Sequence, residues 1–351
     1  MWSHIKEELW GQLGLTRPGE GPEPLVLLQH FRGNLDNWDP ALIDTLASTR
    51  RVVTFDNAGV GGSTGTTPDS TGQMARDAIA FYTAIGFGRA DILGFSVGSL
   101  VAREIALIRP DLVRRLILAS SAPGGAAGMH GWAPEVIGAV GAPETSPEGY
   151  LEVFFAQTPS SRQAGQEVLR RIYARTEDRD KPATWATREA QYDAVCAWGI
   201  PDHSLVQWMS GIGQPLLVAN GDSDPMILPR YSYLIAGLIP QATVKIYPDS
   251  ADGFLFQHHA EFAADVEAFL AKPDQRGSGP RTIADRSWLH AYVPRAPHDD
   301  DGLAGLRSHV GAGQVEVGVA SARGTAVGSW TPCRLMSSRN AGLVRVRLAL
   351  G

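Results

Sequence analysis

From Pro24 to Leu270 the sequence alternates short apolar runs with helix-spaced amphipathic segments, an order that restricts the chain to parallel strands joined by crossover helices. The runs are Leu25 to Leu28, Val52 to Phe55, Ala90 to Leu93, Leu116 to Ala119, Pro215 to Ala219 and Thr243 to Tyr247. Most are apolar at consecutive positions, as strands covered on both faces require. Between them, Gly72 to Ile85 and Ser99 to Ile108 carry apolar residues at helical spacing, and Pro110 with Asp111 ends the second. The fold class is α/β, with a mostly parallel central sheet and helices on both faces.

The interval between the fourth and fifth runs breaks this rhythm. From Ala122 to Gly213 no strand-like run occurs, and Gly and Pro punctuate helical stretches at Gly149 to Phe155, Gly165 to Thr176 and Thr184 to Trp198. An insertion of that size between two strands of one sheet reads as a helical cap over the strand ends, where the ligand crevice of an open α/β sheet lies. The expected layout is a core in two parts, 1–122 and 213–271, a helical cap at 123–212 and a tail at 272–351. The tail holds one lysine, ten arginines and six acidic residues, a net of +5 in a chain of net charge −6. Such a segment is a disordered extension, an added domain or the product of a shifted reading frame. Short alternating runs at Val315 to Val319 and Leu343 to Leu348 could pair as strands. No function is assigned to the tail.

At 351 residues and 44% hydrophobic content the chain can bury a large core. A modest negative net charge gives no reason to expect nucleic acid or an anionic membrane surface as partner. Cys196 and Cys333 form neither a metal-type spacing nor a disulfide framework, which favours a reducing compartment. Residues Met1 to Gly14 lack the apolar run and cleavage site of a signal peptide, and no stretch is long and apolar enough to span a bilayer. The expected location is the cytoplasm, and the expected partner a small molecule.

Chemistry enters at Gly94-Phe95-Ser96-Val97-Gly98, between a strand and a helix. A glycine-serine-glycine spacing alone is weak evidence in a chain with 39 glycines, but here the serine falls on a strand-to-helix turn. That geometry pushes the Ser96 hydroxyl into the crevice and aims a helix N-terminus at it, a place suited to developing negative charge. After the first strand, His30-Phe31-Arg32-Gly33 can supply a backbone N–H, from Phe31 or Arg32, to join that of Val97 in an oxyanion hole. His30 itself is expected to brace the loop. The segment Asn220-Gly221-Asp222-Ser223-Asp224-Pro225 follows the fifth strand, and Asp224 is the candidate orienting acid.

These motifs resemble the α/β-hydrolase superfamily, in particular its non-haem chloroperoxidases, perhydrolases and small carboxylesterases. The resemblance covers about residues 24 to 271. It also rests on Asn37-Trp38-Asp39-Pro40, on Asp56-Asn57-Ala58-Gly59-Val60-Gly61-Gly62-Ser63 and on Tyr247-Pro248-Asp249-Ser250. It implies the α/β-hydrolase fold, a serine nucleophile acting on small esters with water or peroxide, and no metal or organic cofactor. One position departs from it: where the family carries Gly-His-Gly, this chain has Ala251-Asp252-Gly253.

A serine hydroxyl becomes a nucleophile only when something takes its proton, and imidazole suits that task because its pKa lies near neutrality. A carboxylate is a weaker base, and Asp252 near Asp224 would meet a like charge that raises the pKa of one of the pair. His258 and His259 lie six and seven residues on, at a helix start, and are expected on the surface, as are His130 and His203 in the cap. Trp132, Trp185, Trp198 and Trp208 would line the cap or pack between its helices. The sequence thus describes a serine ester hydrolase impaired at its base, with Ser96, Asp224 and Asp252 as the catalytic set. Its rival is a non-catalytic protein that holds an apolar carbonyl ligand under the cap.

Overall fold

The computed structural model describes residues 23–273 apart from 85, 86, 130 and 178, together with two strands at 314–321 and 343–350. Six parallel strands form the centre: β1 (Leu25–Leu28), β2 (Val52–Phe55), β3 (Ala90–Phe95), β4 (Val113–Ala119), β5 (Leu216–Gly221) and β6 (Ala242–Tyr247). Their order across the sheet is β6-β5-β4-β3-β1-β2. The chain builds outward from β1 to β2 and then returns past β1 to add β3 to β6 on the other side. The loops after β1 and β3 therefore flank the point where strand order reverses, which is where open α/β sheets place their crevice.

The strands form where they do because their side chains are buried on both faces. Leu25, Val26 and Leu27 are each 0% exposed, and a buried aliphatic side chain of that kind is worth about 1.5–3 kcal/mol. The helices of the core are α1 (Pro40–Ala47), α2 (Thr71–Ala84) and α3 (Val97–Ile108), then α9 (Arg230–Leu238), α10 (Phe254–Gln257) and α11 (His259–Leu270). Asp39 starts α1 by accepting from the Ala41 amide at 3.1 Å, with Pro40 at the first helical position. Between β4 and β5 the chain forms five helices: α4 (Pro134–Val140), α5 (Pro147–Phe154), α6 (Pro159–Ile172), α7 (Trp185–Trp198) and α8 (His203–Trp208). Three of these begin with Pro at the first turn, and Ser146, Thr158 and Thr184 cap α5, α6 and α7 through their hydroxyls. Periodicity alone places the starts of α5 and α6 two and six residues late, because the capping turn carries no apolar signal.

Two tail segments continue the sheet. β8 (Leu343–Leu350) pairs antiparallel with β2, Phe55 opposite Val346, and β7 (Gln314–Ser321) pairs parallel with β8. The eight-stranded order is β6-β5-β4-β3-β1-β2-β8-β7. No helix among the described residues is long and apolar enough to cross a membrane.

Candidate active site

Backbone strain marks the site before any side chain does. Among the described residues four non-glycine positions have positive φ: Arg32 (60°), Ser96 (54°), Ser120 (47°) and Asp249 (51°). Each follows the carboxyl end of a parallel strand, β1, β3, β4 and β6 respectively. Such conformations cost about 1–3 kcal/mol each and persist only where the surroundings hold them.

Ser96 sits on the turn from β3 into α3 and is 1% exposed. The turn is tight enough that a Cβ on Gly94 would lie 2.3 Å from the Gly98 carbonyl oxygen, and one on Gly98 2.2 Å from that of Leu28. Both glycines are therefore required, and the second contact seats the turn against the end of β1. Ser99 Oγ donates to the Ser96 carbonyl at 2.6 Å and reaches the Ser120 carbonyl at 3.1 Å, fixing the turn from below.

In the loop after β1, the two candidate donors fare differently. The Arg32 amide donates to Gln191 Oε1 of α7 at 2.6 Å. The Arg32 guanidinium reaches into the inserted segment and donates to the carbonyls of Val140, Ala142 and Pro143 at 3.2, 2.6 and 2.9 Å. No such partner holds the Phe31 amide, or that of Val97 at the start of α3, among the described residues. Phe31 packs its ring edge-on against Trp132 at 5.0 Å between centroids. His30 is 5% exposed, with its ring edge-on to Phe95 and Phe154 and Nδ1 2.8 Å from the Phe31 carbonyl oxygen. Burial lowers its pKa to about 4, so it is a neutral brace that donates from Nδ1.

Asp224 and Asp252 come together at the ends of β5 and β6. A Cβ on Gly221 would lie 2.3 Å from the Ser250 carbonyl oxygen and 2.4 Å from that of Ala251, which shows how closely the two loops pack. Asp224 is 1% exposed, and its Oδ1 accepts from the Met226 and Ile227 amides, each at 2.9 Å. Asp222 is exposed and serves the turn, accepting from the amides of Asp249 at 3.1 Å and Ser250 at 3.3 Å. Asp252 is 0% exposed; neither of its carboxyl oxygens has a close hydrogen-bond partner among the described residues, and the Ser120 side chain alone pulls its pKa down against burial and the charge of Asp224. Burial pushes the Asp224 carboxyl up to about 7 against the pull of the Ile227 and Met226 amides and of the Ser120 and Asn220 side chains. Burial, and then the charge of Asp224, hold Asp252 well above the carboxylate range.

The loop bearing Asp252 is held in place by the inserted helices. The Gly253 amide donates to the Phe154 carbonyl at 2.8 Å, Thr158 Oγ1 to Asp249 at 2.6 Å and Ser161 Oγ to Gln257 at 2.6 Å. Arg171 of α6 clamps Asp39 with bonds of 2.8 and 2.6 Å. His258 and His259 turn to the carbonyls of Pro248 and Phe256, and His203 is exposed. His130 lies outside the described residues. Of the tryptophans, Trp132 packs between Phe31 and Tyr192, Trp198 lies under the Arg103 guanidinium at 4.1 Å, and Trp185 is 46% exposed. Gln191 and Ser120, which also shape the site, carry no signal in the sequence, since each meets its partner across a hundred residues or more. Among the described residues no three His, Cys, Asp or Glu side chains are gathered as a metal site would need.

Residues 23–259 match the family model described as alpha/beta hydrolase fold. An alpha/beta hydrolase fold protein from Chitinophaga pinensis superposes with a TM-score of 0.68 at 37% identity, covering 72% of this chain and 91% of that one. A Rhizobium rhizogenes protein named as a carbamate hydrolase is 36% identical over 107 residues, 30% of this chain and 40% of its own length. A pimeloyl-[acyl-carrier protein] methyl ester esterase from Aliivibrio salmonicida is 25% identical over 266 residues, 73% of this chain and 95% of that protein. The chain spans 40% of the length of that Rhizobium protein and 65% of the length of another curated relative. With the family model covering most of the described core, this chain belongs to the alpha/beta hydrolase fold family.

Proposed function

We propose that this protein is a serine hydrolase of small esters whose turnover is slowed by the carboxyl at position 252. The observation that carries the reading is Ser96, buried at φ 54° on the turn between β3 and α3 with the Val97 amide unpartnered beside it. In this reading Ser96 Oγ attacks the ester carbonyl carbon, and the Phe31 and Val97 amides receive the oxyanion. Arg32 holds the loop instead of joining the hole, because its amide is engaged by Gln191. The C–O bond to the alcohol then breaks, the alcohol leaves with a proton, and water releases the acid from the acyl-enzyme. Asp224 is the acid and Asp252 stands in the place of the base. The esterase among the relatives supports a small ester as substrate. The helices at 123–212 act as the cap that chooses it, and the two widely separated cysteines favour the cytoplasm.

A second reading is favoured by one observation: Asp252 is fully buried and held above the carboxylate range, so it is a poor proton acceptor at neutral pH. A protein that binds an apolar carbonyl compound under the cap without turning it over would tolerate such a residue. The test is hydrolysis of a short-chain p-nitrophenyl ester by the native chain against Ser96→Ala. A native rate above that blank supports the hydrolase, since Ser96→Ala keeps the oxyanion site and binding and lacks only the nucleophile. Equal rates with retained ester support the binding protein.

A further inference from the structure

A strand at the rim of a sheet presents a row of backbone N–H and C=O groups that its inner neighbour does not use, and such a row pairs with any extended chain that reaches it. The six parallel strands have two rims, β6 and β2, and these are built differently. β6 is guarded: Thr243 is exposed, and Lys245 stands partly exposed with Nζ 3.0 Å from Glu261 and 3.2 Å from Asp265. Lysine on an edge strand is a common device against stray pairing. β2 carries no such guard. Val52-Val53-Thr54-Phe55 holds neither charge nor proline, and all four residues are buried. A rim strand of that composition needs a partner.

The partner comes from the tail. β8 runs antiparallel to β2 and sets Val52 opposite Ala349, Val53 opposite Leu348, Thr54 opposite Arg347 and Phe55 opposite Val346. Its sequence, Leu-Val-Arg-Val-Arg-Leu-Ala-Leu, is apolar at 344, 346, 348 and 350. Opposed residues of an antiparallel pair share a face, so Val346 and Leu348 fall on the face of Phe55 and Val53. On that face Phe55 stacks on Phe81 of α2 with 4.5 Å between centroids. A slip of one residue would set Arg345 or Arg347 opposite Phe55, because side chains alternate with period two. The observed register is therefore the one that matches apolar to apolar and Thr54 to an arginine. β7 then pairs with β8 along all eight residues, so β8 has a strand on either side.

What β2 supports gives this edge its importance. The strand leads directly into Asp56, whose buried carboxyl accepts from the Leu35 amide at 2.9 Å and the Gly62 amide at 3.1 Å. Leu35 belongs to the loop after β1 that carries Phe31 and Arg32, so the rim strand holds an anchor of that loop.

We propose that the outer edge of β2 is a strand-acceptor site and that its occupant is residues 343–350 of the same chain, which seal the sheet against pairing with another molecule. The site takes an antiparallel strand through its main chain and selects one with apolar residues at alternate positions. The inference is independent of whether Ser96 turns over an ester.

The experiment uses the full chain. Hydrogen exchange read by mass spectrometry follows Leu343–Leu350, Val52–Phe55 and, as an interior control, Leu216–Gly221, in the native chain and in Arg347→Pro/Leu348→Pro. Successive N–H groups of a strand point to opposite sides, so the two prolines remove one ladder donor toward each neighbour of β8. In the native chain residues 343–350 should exchange about tenfold or more slowly than an unstructured peptide, and in the variant residues 52–55 should speed up by about tenfold while 216–221 keep their native rate. Alongside, Thr54→Cys with Arg347→Cys, in a Cys196→Ser/Cys333→Ser background, should close a disulfide within one chain on oxidation, since opposed Cα atoms lie about 4.5–5.5 Å apart. The native exchange and the cross-link decide the matter if the proline variant does not fold. Unprotected 343–350 in the native chain overturns the proposal, as does unchanged protection of 52–55 in a folded proline variant. A disulfide that forms only between two chains overturns it too, by giving the site to a second copy.

Discussion

Asp252→His should turn on ester hydrolysis. An imidazole at 252 would meet Asp224 Oδ2, the oxygen that has no donor, while Oδ1 stays fixed by the Met226 and Ile227 amides at 2.9 Å. General-base assistance is worth about 10²–10⁴ in rate, or about 2.7–5.5 kcal/mol at 1.36 kcal/mol per tenfold. Against this stands bulk: position 252 is 0% exposed, and overfilling a packed site costs about 1–3 kcal/mol of stability. An imidazolium formed during attack would favour the charged form of Asp224, whose carboxyl burial now pushes up to about 7. The loop is pinned to the inserted helices through Gly253, Asp249 and Gln257, so the new side chain starts from a fixed backbone. The assay is the initial rate on a short-chain p-nitrophenyl ester, with Ser96→Ala and Ser96→Ala/Asp252→His as blanks and circular dichroism to show folding. The rate should rise by at least a hundredfold and climb with pH through the imidazole range near about 6.5. A folded Asp252→His that gains less than tenfold refutes the account, because the acid, the nucleophile and the loop would then not form a relay.

Three further substitutions probe the scaffold. Gly98→Ala puts a Cβ 2.2 Å from the Leu28 carbonyl oxygen, so it should cost about 1–3 kcal/mol in denaturant unfolding and slow labelling of Ser96 by a fluorophosphonate. Gln191→Ala removes the acceptor of the Arg32 amide and should lower stability by about 1–3 kcal/mol; in an Asp252→His background it should reduce kcat more than it raises KM. Arg171→Ala leaves Asp39 buried without its clamp, but Arg171 is itself 26% exposed, so the loss should be about 1–3 kcal/mol by thermal melting, short of a fully buried pair.

The strands were legible because burial on both faces writes itself as consecutive apolar residues, and the bounds of β1 and β2 match the expected runs. Helix starts were less legible: α6 begins at Pro159, six residues before the first strong periodic signal, since Thr158 and Pro159 act through capping and fixed φ instead of hydrophobicity. The places of Ser96, Asp224 and Asp252, in the turns after β3, β5 and β6, could be read from spacing because each turn follows a strand. The choice between Phe31 and Arg32 as donor could not be made, since it depends on Gln191, 159 residues away in the chain. The pairing of β8 with β2 had no signal beyond alternation, because an antiparallel partner leaves no mark on the sequence of the strand it joins.

Position 252 lies among strained and buried groups that the surrounding loops hold in place. A scaffold with no site to maintain would have no physical reason to keep a serine at φ 54°, an arginine at 60° or an aspartate at 1% exposure facing another carboxyl, because each of these lowers stability. Strain and buried charge accumulate where local rules yield to a task. Here they converge on the carboxyl ends of four strands, and the contacts that hold them run through the inserted helices to Arg32, Asp39 and Asp249. On the proposed reading, this support holds a buried carboxyl at 252 in the place where Ser96 would need a proton acceptor. On the same reading, an imidazole at 252 would supply the acceptor because the Asp224 turn, the Ser96 turn and the loop at 249–253 are each held by hydrogen bonds of their own.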